Sequence, residues 1–357
     1  MKLLICTQSI DPKDPIAGFF SGWVHEFAKY TEEVTVIALS GVGAETLPSN
    51  VRVISLEKEY GAGRMRQLFL FFRTVITERQ RYDAVFVHNV GPKFVILGYP
   101  FWKLFRKHIA LWYVHKQVDW KLRIAEKLAD MIFSSAPEAF RLPSTKVHFL
   151  GHGIDTDALL RVVRHPNPEV FTILQVGRIT PIKHCEVLIR AAALFGREYV
   201  KPFRVLFVGT PLAAGDEAYA SSLRDLVLEL GLSDTVLFEG GVEPEMLRDY
   251  YARAHVTINT VPTGGMDKVV LESAAIGVPV FTTNQTFRHV FGDLAGRCVL
   301  PDLHTETPER LAQVLLDLAQ GGFPDTDRKQ LQERVRVHAS LPTLITHILG
   351  LIYGKTS

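Results

Sequence analysis

The stretch GGMDKVVLESAAIGVPVF, residues 264–281, reads as a tight turn, a short helix and a buried strand. Gly264 and Gly265 permit a close approach of backbone to another group, or simply a turn. Asp267 stands where a helix cap is expected, with the helix beginning at Lys268. After Gly277 the apolar run VPVF suits a strand covered on both faces. One carboxylate, Glu272, lies among Val269, Val270, Leu271, Ala274 and Ala275. Either it faces water on the polar side of the helix or it is kept for a ligand, and the rest of the chain has to decide.

Similar apolar runs recur along the chain between longer helical stretches. In the first half they are LLICT (3–7), VTVIAL (34–39), VRVISL (51–56), AVFVHN (84–89), IALWYVH (109–115), MIFSS (131–135) and VHFLG (147–151). In the second half they are FTILQVG (171–177), RVLFVG (204–209), TVLFEG (235–240), VTINT (256–260) and VPVFTT (278–283). Continuous runs that alternate with helices predict an α/β protein with two doubly wound parallel sheets. Length supports two domains, since 357 residues exceed what one hydrophobic core usually serves. The join is expected near LLRVVRHPNPEV (159–170), where two prolines and an asparagine break the pattern. This gives a first domain over 1–162 and a second over 168–338. A final helix over 341–354, capped by Ser340 with Pro342 in its first turn, needs an apolar surface and is expected to pack back on the first domain.

Composition excludes several classes. A hydrophobic fraction of 47% with 22% charged residues is ordinary for a globular protein, and a net charge of +2 makes no case for nucleic acid. Cys6, Cys185 and Cys298 are far apart, show no metal-ligand spacing and fit a reducing compartment. The N-terminal segment reads as a strand rather than a signal peptide. FVILGYPFW (94–102) is about half of what a bilayer span requires. A cytoplasmic location is the expectation.

Ligands of open α/β sheets bind at the carboxyl ends of the strands. In VGRITPIKHCEVLIRAAAL (176–194), Arg178 and Lys183 follow Gly177 on a loop that leads into a helix. Cations before a helix N-terminus oppose its dipole, and a bound anion would remove that conflict; two solvated loop cations are the plain alternative. His88, Asn89 and His115 follow strands in the first half, either as sugar or phosphate donors or as satisfied structural residues. The loop DPIAGFFSGW (14–23) carries Gly18 but no G-x-G-x-x-G, which argues against a dinucleotide-dependent dehydrogenase.

Taken together, the chain resembles a family 4 glycosyltransferase of the two-Rossmann, or GT-B, type. The resemblance is strongest over 171–283, in the blocks LQVGRITPIKHCEVLIRAAALF, RVLFVGTP, LVLELGLSDTVLFEGGVEPEMLRDYYARAHVTINT and DKVVLESAAIGVPVFTTN. It is weaker at GFFSGWVHEFAKY, WYVHK and FLGHGIDTDAL. It implies transfer of a sugar from a nucleotide-diphosphate donor, UDP- or GDP-linked, with retention of configuration and without a metal or other cofactor. Arg178 and Lys183 then hold the donor diphosphate, and His115 touches the donor sugar. Gly18, Gly177, Gly209, Thr210, Gly241 and Val242 line the nucleotide-sugar, as do Gly264, Gly265, Met266, Asp267 and Lys268. Glu272 matches the second acid of the family's E-x7-E element and accepts the ribose hydroxyls. The first acid of that element would fall at position 264, which is glycine; Asp267 is a candidate to reach the same space.

The implied acceptor is a glycan or lipid-linked molecule, as in cell-envelope polysaccharide synthesis. GRMRQLFLFFRTV (63–75) and FWKLFRKHIALW (101–112) interleave cations with aromatic residues. Such segments suit the anionic face of a membrane, and equally helices that bury one side and solvate their cations. Two other functions remain open: a sugar-nucleotide epimerase of the same fold, and a non-catalytic nucleotide-sugar-binding protein.

Overall fold

The computed structural model describes residues 1–14, 17–88, 91–302 and 307–354, so Asn89 lies outside the described residues. Packing divides the chain into two units, Met1–Gly153 with the C-terminal segment from Ser340, and Ile154–Ala339.

The first unit is built on seven parallel strands: β1 (Lys2–Ser9), β2 (Glu33–Ser40), β3 (Val51–Ser55), β4 (Ala84–His88), β5 (His108–Trp112), β6 (Met131–Ser134) and β7 (Val147–Phe149). Their order in the sheet is β3-β2-β1-β4-β5-β6-β7, which reverses direction of growth between β1 and β4. Helix α1 (Phe19–Tyr30) joins β1 to β2. The crossovers α2 (Arg64–Thr77), α3 (Lys93–Leu104) and α4 (Trp120–Leu128) link β3 through β6.

The apolar runs are continuous because each strand feeds two layers. In β1, Leu3 and Ile5 point into a cluster with Trp23 and Phe27 of α1. Leu4 and Cys6 point the other way, toward Phe71, Val75, Phe94 and Trp102 of α2 and α3. Strand β5 ends at Trp112, earlier than the run 109–115 suggests, so His115 sits on the following loop.

The second unit has five parallel strands, β8 (Phe171–Val176), β9 (Phe203–Val208), β10 (Val236–Gly240), β11 (Val256–Asn259) and β12 (Val280–Thr282), in the order β10-β9-β8-β11-β12. Its helices are α5 (Thr156–Leu160), α6 (Cys185–Glu198), α7 (Ala214–Glu229), α8 (Pro244–Arg253), α9 (Lys268–Ile276), α10 (Phe287–Phe291), α11 (Ala295–Cys298), α12 (Thr307–Gly321) and α13 (Asp325–His338). The stretch 159–170 lies within this unit. The Arg164 guanidinium donates to the carbonyl of Ala254 at 3.0 Å and the His165 N–H to that of Ala252 at 2.9 Å. Leu159 of α5 joins the core formed by α9 and α13.

Helix α14 (Leu341–Tyr353) returns to the first unit. Leu341, Leu344, Ile345, Ile348, Leu349 and Ile352 are buried with Phe20, Trp23, Val24 and Phe27. Full burial of each such side chain stabilises by roughly 1.5–3 kcal/mol before entropy is charged. The Tyr353 hydroxyl donates to the carbonyl of Lys2 at 2.7 Å, which ties the two chain ends together. Ser340 occupies the cap position with Pro342 in the first turn, but its hydroxyl makes no cap hydrogen bond. Its carbonyl instead accepts the N–H of Leu344.

Two glycines shape the strand ends of the second unit. Gly177 has φ +134° and Gly209 φ +150°, values that side-chain-bearing residues rarely adopt. A Cβ on Gly209 would lie 2.0 Å from the carbonyl oxygen of Gly177. Backbone cannot move aside as a side chain could.

Two consequences are measurable by chemical denaturation. Gly209→Ala is expected to cost about 2 kcal/mol or more in the second unit's transition, from strain and overpacking together. Ile345→Ala, at a fully buried position, is expected to cost about 2–5 kcal/mol in the first unit's transition. A wild-type midpoint in either variant contradicts the packing described.

Candidate functional site

The candidate site lies in the second unit, at the carboxyl ends of β8, β9 and β11. Sheet growth reverses between β8 and β11, where a crevice opens in doubly wound sheets. Gly177 ends β8, and its N–H donates to the Val208 carbonyl at 2.9 Å. The N–H of Gly209 donates in turn to Gly240 at 2.7 Å. Gly241 and Val242 follow, and Gly241 lies against the Thr210 side chain. The predicted glycine positions thus stand side by side along one edge.

Between β8 and α6, Pro181–Lys183 form a short 3-10 turn, and His184 adopts a left-handed conformation, φ 45°. That turn is held from below. The Thr260 hydroxyl, just past β11, donates to the Lys183 carbonyl at 2.7 Å, and the Gln175 amide donates to the same oxygen at 3.2 Å. From α7, the Tyr219 hydroxyl accepts the N–H of Cys185 at 2.8 Å and donates to Glu186. The Lys183 stem crosses the face of Gly177, where a Cβ would approach its Cε to 3.3 Å.

The ammonium of Lys183 meets the Asp267 carboxylate at 2.9 Å, and both side chains are largely buried. Asn259, at the end of β11, donates to the other Asp267 oxygen at 3.3 Å. This corrects the capping expectation. Asp267 occupies the cap position of α9 with its carbonyl accepting from Val270, but its carboxylate caps nothing. A charge-assisted pair with an ammonium outcompetes a neutral N–H for that oxygen.

One turn further along α9, Glu272 is half-buried and accepts the hydroxyl of Tyr251, itself buried, at 3.1 Å. Burial and the adjacent Glu272 charge push the Tyr251 phenol well above its ordinary range, so it stays a donor. Lys268 begins α9 four residues before Glu272. Burial lowers its pKa, while Glu272 and Asp267 pull the other way. The site therefore gathers Lys183, Asp267, Lys268 and Glu272 in one corner.

Arg178 stands on the same loop as Lys183 and is exposed. Its charge acts on Asp216 of α7, whose carboxyl is held below its usual range mainly by the Thr180 hydroxyl and then by backbone N–H groups of the α7 entry.

Gly264 and Gly265 are pinned by residues that sequence reasoning missed. Asn284 accepts the Gly264 N–H at 3.3 Å and donates to the Gly265 carbonyl at 2.9 Å. The Thr286 hydroxyl donates to the Gly264 carbonyl at 2.7 Å. Asn284 and Thr286 are fully buried, and the polar run TTNQT after β12 was the signal. Met266 packs against the second unit's core.

The remaining candidates belong to the first unit. Gly18 precedes α1, and a Cβ there would strike the carbonyls of Pro12 and Asp14 at 2.5 and 2.6 Å. His115 is exposed beside the ring of Tyr113, and partial burial lowers its pKa. His88 is buried, stacked on Phe20 at 3.8 Å, and its Nδ1 has no hydrogen-bond partner among the described residues. Burial, then His152 and His115, hold it neutral.

Comparison with solved structures finds this architecture over nearly the whole chain. Anabaena Alr3699/HepE in complex with UDP superposes with a TM-score of 0.77 at 16% identity, covering 99% of this chain and 100% of that one. Sucrose-phosphate synthase (tll1590) from Thermosynechococcus elongatus gives 0.77 at 17%, covering 99% of each chain. These likenesses are of fold, and they establish the GT-B architecture of two parallel α/β sheets.

Among curated proteins, the chain is 35% identical over 111 residues to the D-inositol 3-phosphate glycosyltransferase of Acidothermus cellulolyticus, 30% of this chain and 25% of that protein. It is 38% identical over 111 residues to that of Thermobispora bispora, 30% of this chain and 26% of that protein. The matched region thus spans about a quarter of those relatives. The family of glycosyl transferases group 1 matches residues 158–336, which include the second-unit residues just described and exclude Gly18, His88 and His115. With half of its length matched, the chain belongs to the group 1 glycosyl transferases.

Proposed function

We propose that this protein transfers a sugar from a nucleotide-diphosphate donor to an acceptor hydroxyl, with retention of anomeric configuration and without a metal. The observation that carries this reading is the corner where Lys183, Asp267, Lys268 and Glu272 meet at the strand ends of the second sheet. The donor nucleotide is UDP- or GDP-linked, and the acceptor is a glycan or lipid-linked molecule recognised by the first unit.

Each residue has a chemical reason. Negative charge gathers on the diphosphate as the glycosidic bond breaks, so fixed cations stabilise the transition state more than the ground state. Arg178 and Lys183 provide those cations, and Lys268 adds a third; their charge does what a divalent ion would otherwise do. The free N–H groups of the α9 entry, beside Gly264 to Lys268, favour anionic or polar groups of the donor. Glu272 accepts the two ribose hydroxyls, with Tyr251 holding its other oxygen in place. Gly209, Thr210, Gly241 and Val242 line the nucleotide. Gly18 and His115 are assigned to sugar and acceptor handling. Asp267 stands in for the acid absent at position 264, and its contact with Lys183 supports that role.

Binding of UDP and GDP by calorimetry tests the site; no heat with either removes the donor reading. Incubation with a sugar nucleotide alone separates transfer from epimerisation, since only an epimerase yields a new sugar nucleotide. In a transfer assay, Arg178→Ala and Lys183→Ala are each expected to lose on the order of 2–4 kcal/mol in kcat/KM. Glu272→Gln, which keeps an acceptor for Tyr251, is expected to raise KM for the donor with little change in kcat. Wild-type rates in both cation variants would refute their assignment.

A further inference from the structure

Outside the donor site, the first unit carries a group of cations that nothing in the proposed transfer reaction uses. Lys58 precedes α2 in a short 3-10 turn, Arg64 is the first residue of α2, Lys93 the first of α3, and Lys121 the second of α4. The sheet order places α2, α3 and α4 as successive crossovers on one face, where they share the core of Phe71, Phe94 and Leu122. Their first turns therefore come together. The Lys93 ammonium responds to this: partial desolvation against the protein surface and then repulsion from Lys121, Arg64 and Lys58 lower its pKa.

All four side chains are exposed, and none forms an ion pair among the described residues. The carboxylates nearest in sequence are committed elsewhere. Glu57 pairs with Arg66, Glu59 accepts the Gly41 N–H and the Ser55 hydroxyl, and Asp119 caps α4 through Leu122. The first turns of α2, α3 and α4 contain no acid at all. Like charges gathered at the positive ends of three helices are unfavourable unless an anionic surface faces them.

Large apolar side chains stand exposed among these cations. Tyr60 is 83% exposed, Met65 81%, Phe69 65% and Trp120 64%. Met65 and Phe69 are one turn apart on α2, and Tyr60, Met65 and Trp120 each lie within two residues of a cation. A soluble polyanion would be met by the charges alone. Apolar side chains projecting between cations suit a surface that is anionic outside and apolar just beneath, which is the interface of a bilayer.

We propose that the first turns of α2, α3 and α4, with the preceding Lys58–Tyr60 turn, form a surface that docks on anionic lipid. Lys58, Arg64, Lys93 and Lys121 face the lipid phosphates, and Tyr60, Met65, Phe69 and Trp120 enter the headgroup layer. The opposite end of α3, with Lys103 and Arg106, takes no part. It lies about 15 Å along the helix from Lys93. No helix among the described residues is long and apolar enough to cross a membrane, so the attachment is peripheral. This surface is independent of the donor reading.

Flotation of the full chain with vesicles tests the proposal, using phosphatidylcholine alone and phosphatidylcholine mixed with phosphatidylglycerol. At low salt the protein is expected to float with the mixed vesicles and not with the neutral ones. Each cation removed should lower the partition coefficient about fivefold, so Lys58→Ala with Lys121→Ala lowers it about 25-fold. Met65→Ser with Phe69→Ser should weaken the binding that survives at high salt. Trp120 supplies an optical signal, because Trp23, Trp102 and Trp112 are buried. Its emission should shift to the blue on mixed vesicles, and Trp120→Phe should abolish the shift. No flotation at low salt overturns the proposal. So does flotation unchanged by the cation and apolar substitutions in variants with wild-type circular dichroism. Retention on heparin without flotation assigns the surface to a soluble polyanion and equally overturns it.

Discussion

Cations placed against helix dipoles are the constraint around which the candidate site of the second unit is organised. Lys183 stands just before α6 and Lys268 opens α9, both at ends that already carry partial positive charge. Each such placement costs roughly 0.3–1 kcal/mol when nothing offsets it. The second unit offsets it from one side only, with Asp267 on Lys183 and with Glu272 one turn along α9. Stability alone would be served better by an acid at the first position of α9 and an apolar residue at 183. The arrangement makes sense as a site in which a doubly charged phosphate group completes the balance.

Rigidity is the second requirement, because preorganised charge stabilises a transition state only if it does not relax. Here it comes from short polar contacts beneath the charged corner. Thr260 and Gln175 hold the Lys183 carbonyl, and Asn284 and Thr286 grip both sides of Gly264. Gly177 and Gly209 let the ends of β8 and β9 approach closely. Gly264 itself is a departure from the family's element. Asp267, three residues later, lies on Lys183 instead of capping α9.

The sheets were legible from sequence because strands covered on both faces carry mainly apolar runs rather than strict alternation, and all twelve runs became strands. Edges were less legible. β5 stops at Trp112, where its ladders with β4 and β6 both end, at His88 and Phe133. The caps at Asp267 and Ser340 were read by residue type, yet side-chain partners elsewhere or the backbone alone decided the outcome. Tyr251 and Asn259 reach Glu272 and Asp267 from outside the 264–281 stretch, and no local pattern announces them, whereas Asn284 and Thr286 are signalled by the polar run TTNQT. The cation cluster of the first unit was only half visible. Residues 63–75 drew notice, but Lys58, Lys93 and Lys121 join Arg64 through parallel crossovers that sequence spacing does not reveal.

A crystal structure of the protein with UDP or GDP decides whether the Lys183 ammonium belongs to a diphosphate. The β-phosphate is expected beside the first turns of α6 and α9, with Lys183 turned from Asp267 to its oxygens and the ribose hydroxyls on Glu272. A nucleotide bound elsewhere, with Lys183 still on Asp267 and Glu272 touching only Tyr251, would contradict it.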